Sequence, residues 1–131
     1  MTGVEGERNL ILVVDDEATI LRVASMVLAA EGFRVAIAEN GREGLSVYED
    51  RSADICLVLV DVEMPEMNGL EMAERILEDG LPVKFLFMSG YSDRILELQA
   101  RRRYPFIRKP FLPADLVRKV AEVLGGAAAA K

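Results

Sequence analysis

Ile55-Cys56-Leu57-Val58-Leu59-Val60, closed by Asp61, is the longest unbroken apolar run in the chain, at six residues. A membrane-spanning helix needs about 20 apolar residues, so this run predicts no membrane insertion. Its β-branched side chains and lack of polar alternation are the pattern of a strand buried on both faces. Four further apolar runs lie at residues 10–14, 35–38, 83–88 and 106–107. Most share that pattern, and segments with helical spacing separate them. Ile20, Ala24, Val27 and Leu28 line one face of a helix over 17–31, which Gly32 is placed to end. Leu70, Ala73 and Leu77 do the same before Gly80, and Leu116, Val120, Val123 and Leu124 before Gly125. Weaker helical patterns cover 42–50 and 93–103. Strand then helix, five times over, predicts an α/β fold: a parallel sheet with helices on both faces.

Composition narrows the chemistry. At 131 residues the chain is expected to form one domain, over 9–124, with flexible ends at 1–8 and 125–131. The end beyond 124 is low in complexity and reads as a cut linker or an expression scar. The net charge is −6, which disfavours direct binding to a nucleic-acid backbone. There is no histidine, which removes imidazole bases, imidazole zinc sites and Ser-His-Asp triads. The single cysteine, Cys56, excludes an internal disulfide and is expected to be a buried small hydrophobe. The acidic start of the chain is unlike a signal peptide, so a cytoplasmic location is expected.

In an open parallel sheet, ligands sit beyond the carboxyl ends of the strands. The first strand ends in Asp15-Asp16-Glu17, the third in Asp61, the fourth in Ser89-Gly90 and the fifth in Lys109-Pro110. Asp15, Asp16 and Asp61 repel one another if all are ionised, and a hard divalent cation resolves the conflict. Oxygen-only ligands suit magnesium, which takes octahedral bonds of ~2.0–2.1 Å. Helix capping is the competing explanation for Asp15 and Asp16, although it leaves Asp61 unexplained. Asp61 reads either as an ordinary strand terminator or as a nucleophile that can hold an aspartyl phosphate. Lys109 is then placed to grip a phosphoryl oxygen as a point charge, and Ser89 to donate a hydroxyl hydrogen bond.

Four fragments carry a family resemblance: Val13-Val14-Asp15-Asp16-Glu17; Asp61 with Met64-Pro65-Glu66-Met67-Asn68-Gly69; Met88-Ser89-Gly90-Tyr91; and Lys109-Pro110-Phe111. In this order they resemble the receiver domain of bacterial two-component response regulators, over about residues 9–124. The resemblance implies a flavodoxin-like (βα)5 doubly wound sheet, strand order 2-1-3-4-5. It implies Asp61 as phosphoacceptor, charged by a sensor histidine kinase or phosphotransfer protein. Magnesium would be held by Asp16 directly, Asp15 largely through water, Asp61 and the Glu63 carbonyl. Lys109 matches the family's invariant lysine, Ser89 its switch hydroxyl and Phe106 its switch aromatic. A cis peptide at Lys109-Pro110 is implied in the same way. Rearrangement of Ser89 and Phe106 would then alter the binding of a downstream protein.

Two other readings stand beside this one. A magnesium-dependent phosphohydrolase also forms an aspartyl phosphate, but on an Asp-x-Asp pair at the first strand, whereas Asp15 and Asp16 are adjacent. A receiver-like binding module without phosphorylation is opposed by the complete residue set. The run Arg101-Arg102-Arg103 reads as a solvated helix end or as a partner patch. The run Ser89-Gly90-Tyr91-Ser92-Asp93 resembles receivers attached to hybrid histidine kinases. Met64 and Met67 are expected to pack within their loop.

Overall fold

Apolar side chains that alternate in direction along a strand can serve two cores at once, and the inner strands do so. The computed structural model describes residues 9–78, 80, 83–90 and 104–125. In chain order these form β1 (Leu10–Val14), α1 (Ala18–Ala30), β2 (Arg34–Ala38), α2 (Gly41–Arg51), β3 (Ile55–Asp61) and α3 (Gly69–Leu77), followed by β4 (Lys84–Ser89), β5 (Phe106–Arg108) and α4 (Pro113–Leu124). All neighbouring strands are parallel, in the expected order β2-β1-β3-β4-β5. The helical pattern at 93–103, Arg101, Arg102 and Arg103 within it, and residues 91–93 lie outside the described residues. So do the ends 1–8 and 126–131.

Leu10, Leu12 and Val14 of β1 face one core with Tyr48 of α2 and Met72, Ala73 and Ile76 of α3. Ile11 and Val13 face the other, with Leu21, Ala24 and Leu28 of α1 and Leu116 and Val120 of α4. The helices thus cover both faces of the sheet. α1 ends as its glycine suggests: Gly32 has φ +97°, with Gly32 N–H donating to Ala29 and Phe33 N–H to Leu28.

Several local expectations change. β2 is an edge strand, so Ile37 is 50% exposed rather than buried on both faces. β5, the other edge, is only partly buried along its length. In α3 the core takes Ile76, while Leu77 is 39% exposed. Cys56 is half-buried, because the β1–β3 register steps from Leu10↔Ile55 to Ile11↔Leu57 and leaves it as the extra residue of a bulge. Met64 is buried, and Met67 packs against the core.

Candidate functional site

β1 and β3 lie side by side at the centre of the sheet, so their carboxyl ends bring Asp15 and Asp61 together. Asp15 is fully buried, Asp61 is 4% exposed and Asp16 is exposed. Neither Asp15 nor Asp16 caps α1, whose N-cap is Glu17 with no side-chain cap bond. Asp15 instead accepts the Glu17 N–H through Oδ1 at 2.9 Å, which leaves Oδ2 facing the site. Asp61 Oδ1 accepts the Glu63 N–H at 3.2 Å.

The loop after Asp61 is tightly built. Gly69 N–H donates to Val62 O, and a Cβ on Gly69 would stand 2.3 Å from the Asp61 carbonyl oxygen. Glycine is required there by space. Asn68 caps α3 in a reciprocal capping box with Glu71.

Lys109 enters from the end of β5, where the Lys109-Pro110 bond is cis. Its Nζ lies 3.1 Å from Asp15 Oδ2, 3.4 Å from Asp61 Oδ2 and 2.8 Å from Glu17 Oε1. Burial works against the Lys109 charge, but the bond to Glu17 and the charges of Asp61 and Asp15 outweigh it and raise its pKa. Burial raises Asp15 despite the bonds from Glu17 N–H and Lys109. Asp61 is pushed up to about 7, first by burial and then by the Asp15 charge, against the pull of Lys109. One ammonium does not fully compensate these carboxylates.

One oxygen from each of Asp15, Asp16 and Asp61 lies within 4.8 Å of the other two. Opposite ligands of magnesium stand roughly 4.2 Å apart at bond lengths of ~2.1 Å. The carboxylates are therefore spaced on the scale of one hard cation. Asp16, Glu17, Asp61, Glu63 and Lys109 share the wall of a cleft of about 790 Å³.

Ser89 is buried at the end of β4, and its hydroxyl donates to Gly90 O at 3.1 Å rather than into the carboxylate cluster. Phe106 packs against the sheet's α2–α3 core. Two contacts escape sequence reasoning: Glu17 on Lys109, and Arg108 Nη1 on Gly90 O at 3.0 Å. The acid after the Asp pair was a signal for the first. The second had no sequence signal.

The family model described as response regulator receiver domain matches residues 11–121. The sensor kinase CckA of Brucella abortus is 31% identical over 126 residues, 94% of this chain and 13% of CckA. The DNA-binding response regulator MtrA of Mycolicibacterium paratuberculosis is 35% identical over 115 residues, 86% of this chain and 50% of MtrA. This chain thus spans half or less of these curated relatives. A solved response regulator receiver domain protein from Clostridium thermocellum superposes with TM-score 0.81 at 25% identity, covering 93% of this chain and 98% of that one. A CheX-CheY-BeF3-Mg complex from Borrelia burgdorferi gives TM-score 0.78 at 25% identity, covering 87% of each chain.

Proposed function

This chain belongs to the response regulator receiver domain family, a family of phosphoacceptor signalling domains, and on that premise we propose that Asp61 is its phosphoacceptor. The observation that carries the proposal is the placement of one half-buried ammonium, Lys109, against both Asp15 and Asp61 at the carboxyl edge of the sheet. A carboxylate beside a fixed cation can present one oxygen to phosphorus while the cation receives a phosphoryl oxygen.

The donor is a partner histidine kinase or phosphotransfer protein. An Asp61 oxygen forms the new O–P bond as the P–N bond to the partner's imidazole breaks. The imidazole nitrogen keeps the electron pair, so no oxidation or reduction occurs. Asp15, Asp16, Asp61 and the Glu63 carbonyl would hold magnesium, which supplies positive charge beside the transferring oxygens when bound. Lys109 exchanges its carboxylate contacts for the phosphoryl group. Ser89 turns its hydroxyl from Gly90 O toward that group, and Phe106 follows. Phe106 carries no hydroxyl to desolvate, so moving it inward costs less than moving a tyrosine.

Among the described residues no helix is long and apolar enough to cross a membrane. We assign the domain to residues 9–124 and its place of action to the cytoplasm.

Incubation with magnesium and acetyl phosphate, followed by intact mass spectrometry, tests the assignment. The chain should gain one phosphoryl group, and Asp61→Asn should gain none. Labelling that survives in Asp61→Asn overturns it. Sustained turnover of acetyl phosphate would favour the phosphohydrolase reading instead.

A further inference from the structure

We propose that Arg108 is a positioning residue that carries the response of Ser89 to Phe106. The proposal rests on the phosphoacceptor reading above and adds a physical link to it. β4 and β5 pair in parallel with Ser89 opposite Arg108 and Phe87 opposite Phe106. Side chains two apart on a strand share a face. Ser89, Arg108 and Phe106 therefore project to the same side of the sheet.

Their contacts follow from that placement. The Gly90 carbonyl accepts from two donors, Ser89 Oγ at 3.1 Å and Arg108 Nη1 at 3.0 Å. The Arg108 guanidinium carbon also stands 5.9 Å from the centre of the Phe106 ring. That is within the ~6 Å reach of a cation over an aromatic face. A planar, delocalised guanidinium can hold a carbonyl with one edge and a ring with its face, whereas an ammonium offers a single point charge. A continuous chain thus runs from the Ser89 hydroxyl through Gly90 O and Arg108 to the aromatic.

When Ser89 turns toward a phosphoryl group, Gly90 O loses one of its two donors. Arg108 keeps the carbonyl satisfied, so the hydroxyl leaves without exposing an unpaired acceptor. The remaining bond moves the guanidinium with the Gly90 turn, and the ring beneath it changes neighbours. Volume vacated by Ser89 is then not the only route by which Phe106 senses the site.

The test uses beryllofluoride with magnesium as the phosphoryl mimic and NMR of the full chain, reading the Ser89 and Gly90 amides and the Phe106 ring. In wild type all three signals should shift. In Arg108→Ala the Ser89 shift should persist while the Phe106 shift falls by at least half. The rate of acetyl phosphate labelling should stay within about twofold. Arg108→Lys, which cannot make both contacts from one ammonium, should also reduce the Phe106 shift, and it serves if the alanine variant does not fold. Loss of packing alone lowers the melting temperature but leaves the mimic-induced shift at Phe106 intact. A full wild-type shift at Phe106 in either variant overturns the role of Arg108. No shift at Ser89 in wild type overturns the phosphoacceptor reading itself, and the link with it.

Discussion

At 4% exposure Asp61 has lost most of its water, and the buried Asp15 adds a second negative charge beside it. Its folded-state pKa of about 7 lies above the ordinary 3.8, so the metal-free fold holds a proton there that the unfolded chain releases. For a group raised in this direction, the stabilisation is fully present below the unfolded pKa and is lost as pH rises through the folded one. Asparagine mimics the protonated form at every pH. Urea melts in the presence of a chelator should therefore find Asp61→Asn close to wild type near pH 4. Near pH 8 it should be more stable by at least about 1 kcal/mol, since one pKa unit corresponds to about 1.4 kcal/mol. A difference that does not change with pH would show that Asp61 is not perturbed in this way. Asp61 and Lys109 were legible from sequence because each closes an apolar strand and strand ends converge. The contact of Glu17 with Lys109 was not, because it depends on the direction in which α1 leaves the sheet.

The connection from β3 to α3 holds Asp61 in place, and two of its residues should fail differently. Asn68 caps α3 through Glu71 N–H at 2.9 Å, away from the carboxylates. Asn68→Ala should cost about 1 kcal/mol in melts and leave acetyl phosphate labelling intact. Gly69→Ala places a methyl 2.3 Å from the Asp61 carbonyl oxygen, a backbone atom that cannot swing aside. Overpacking of that kind costs about 1–3 kcal/mol, and relief has to come from the loop that carries Asp61. Labelling should then fall along with stability. A stable Gly69→Ala protein that labels at the wild-type rate would mean the loop does not set the position of Asp61. The order of elements was readable because apolar runs alternate with helical spacing over the whole chain. Which strands form the edges was readable only through the family resemblance and its strand order, not from the residues themselves, since Val35 and Ile37 have the same β-branched character as inner residues. The bulge at Cys56 was not readable, being a property of pairing rather than of one strand. In α3 the choice of Ile76 over Leu77 follows from the phase set at its Asn68 cap, which an apolar count over Leu70, Ala73 and Leu77 does not contain.

At the scale of the whole molecule, the site joins parts that are far apart in the chain. Asp15 and Asp16 follow β1, Asp61 ends β3, and Lys109, which follows β5, lies 94 residues from Asp15. A ligand held across these ends is bound only by the assembled sheet, so its binding energy adds to global stability rather than to one loop. A cation that binds only the native state contributes about 2.7 kcal/mol at a hundredfold excess over Kd. For a domain of this size that corresponds to a rise of roughly 10 °C in melting temperature. Thermal melts with and without magnesium should show an increase of this order at saturation. Asp16→Asn should flatten the response, because it removes the most exposed of the three carboxylates without disturbing the Asp15–Lys109 pair. Hydrogen exchange gives a second reading of the same event. Amides in the middle of β1 and β3, which exchange only on global opening, should slow with magnesium in wild type and much less in Asp16→Asn. A melting temperature unchanged at tens of millimolar magnesium would mean that Lys109 alone offsets these carboxylates and that they do not form a metal site, whereas protection confined to the loops around Asp61 would mean that the cation binds there without adding to global stability.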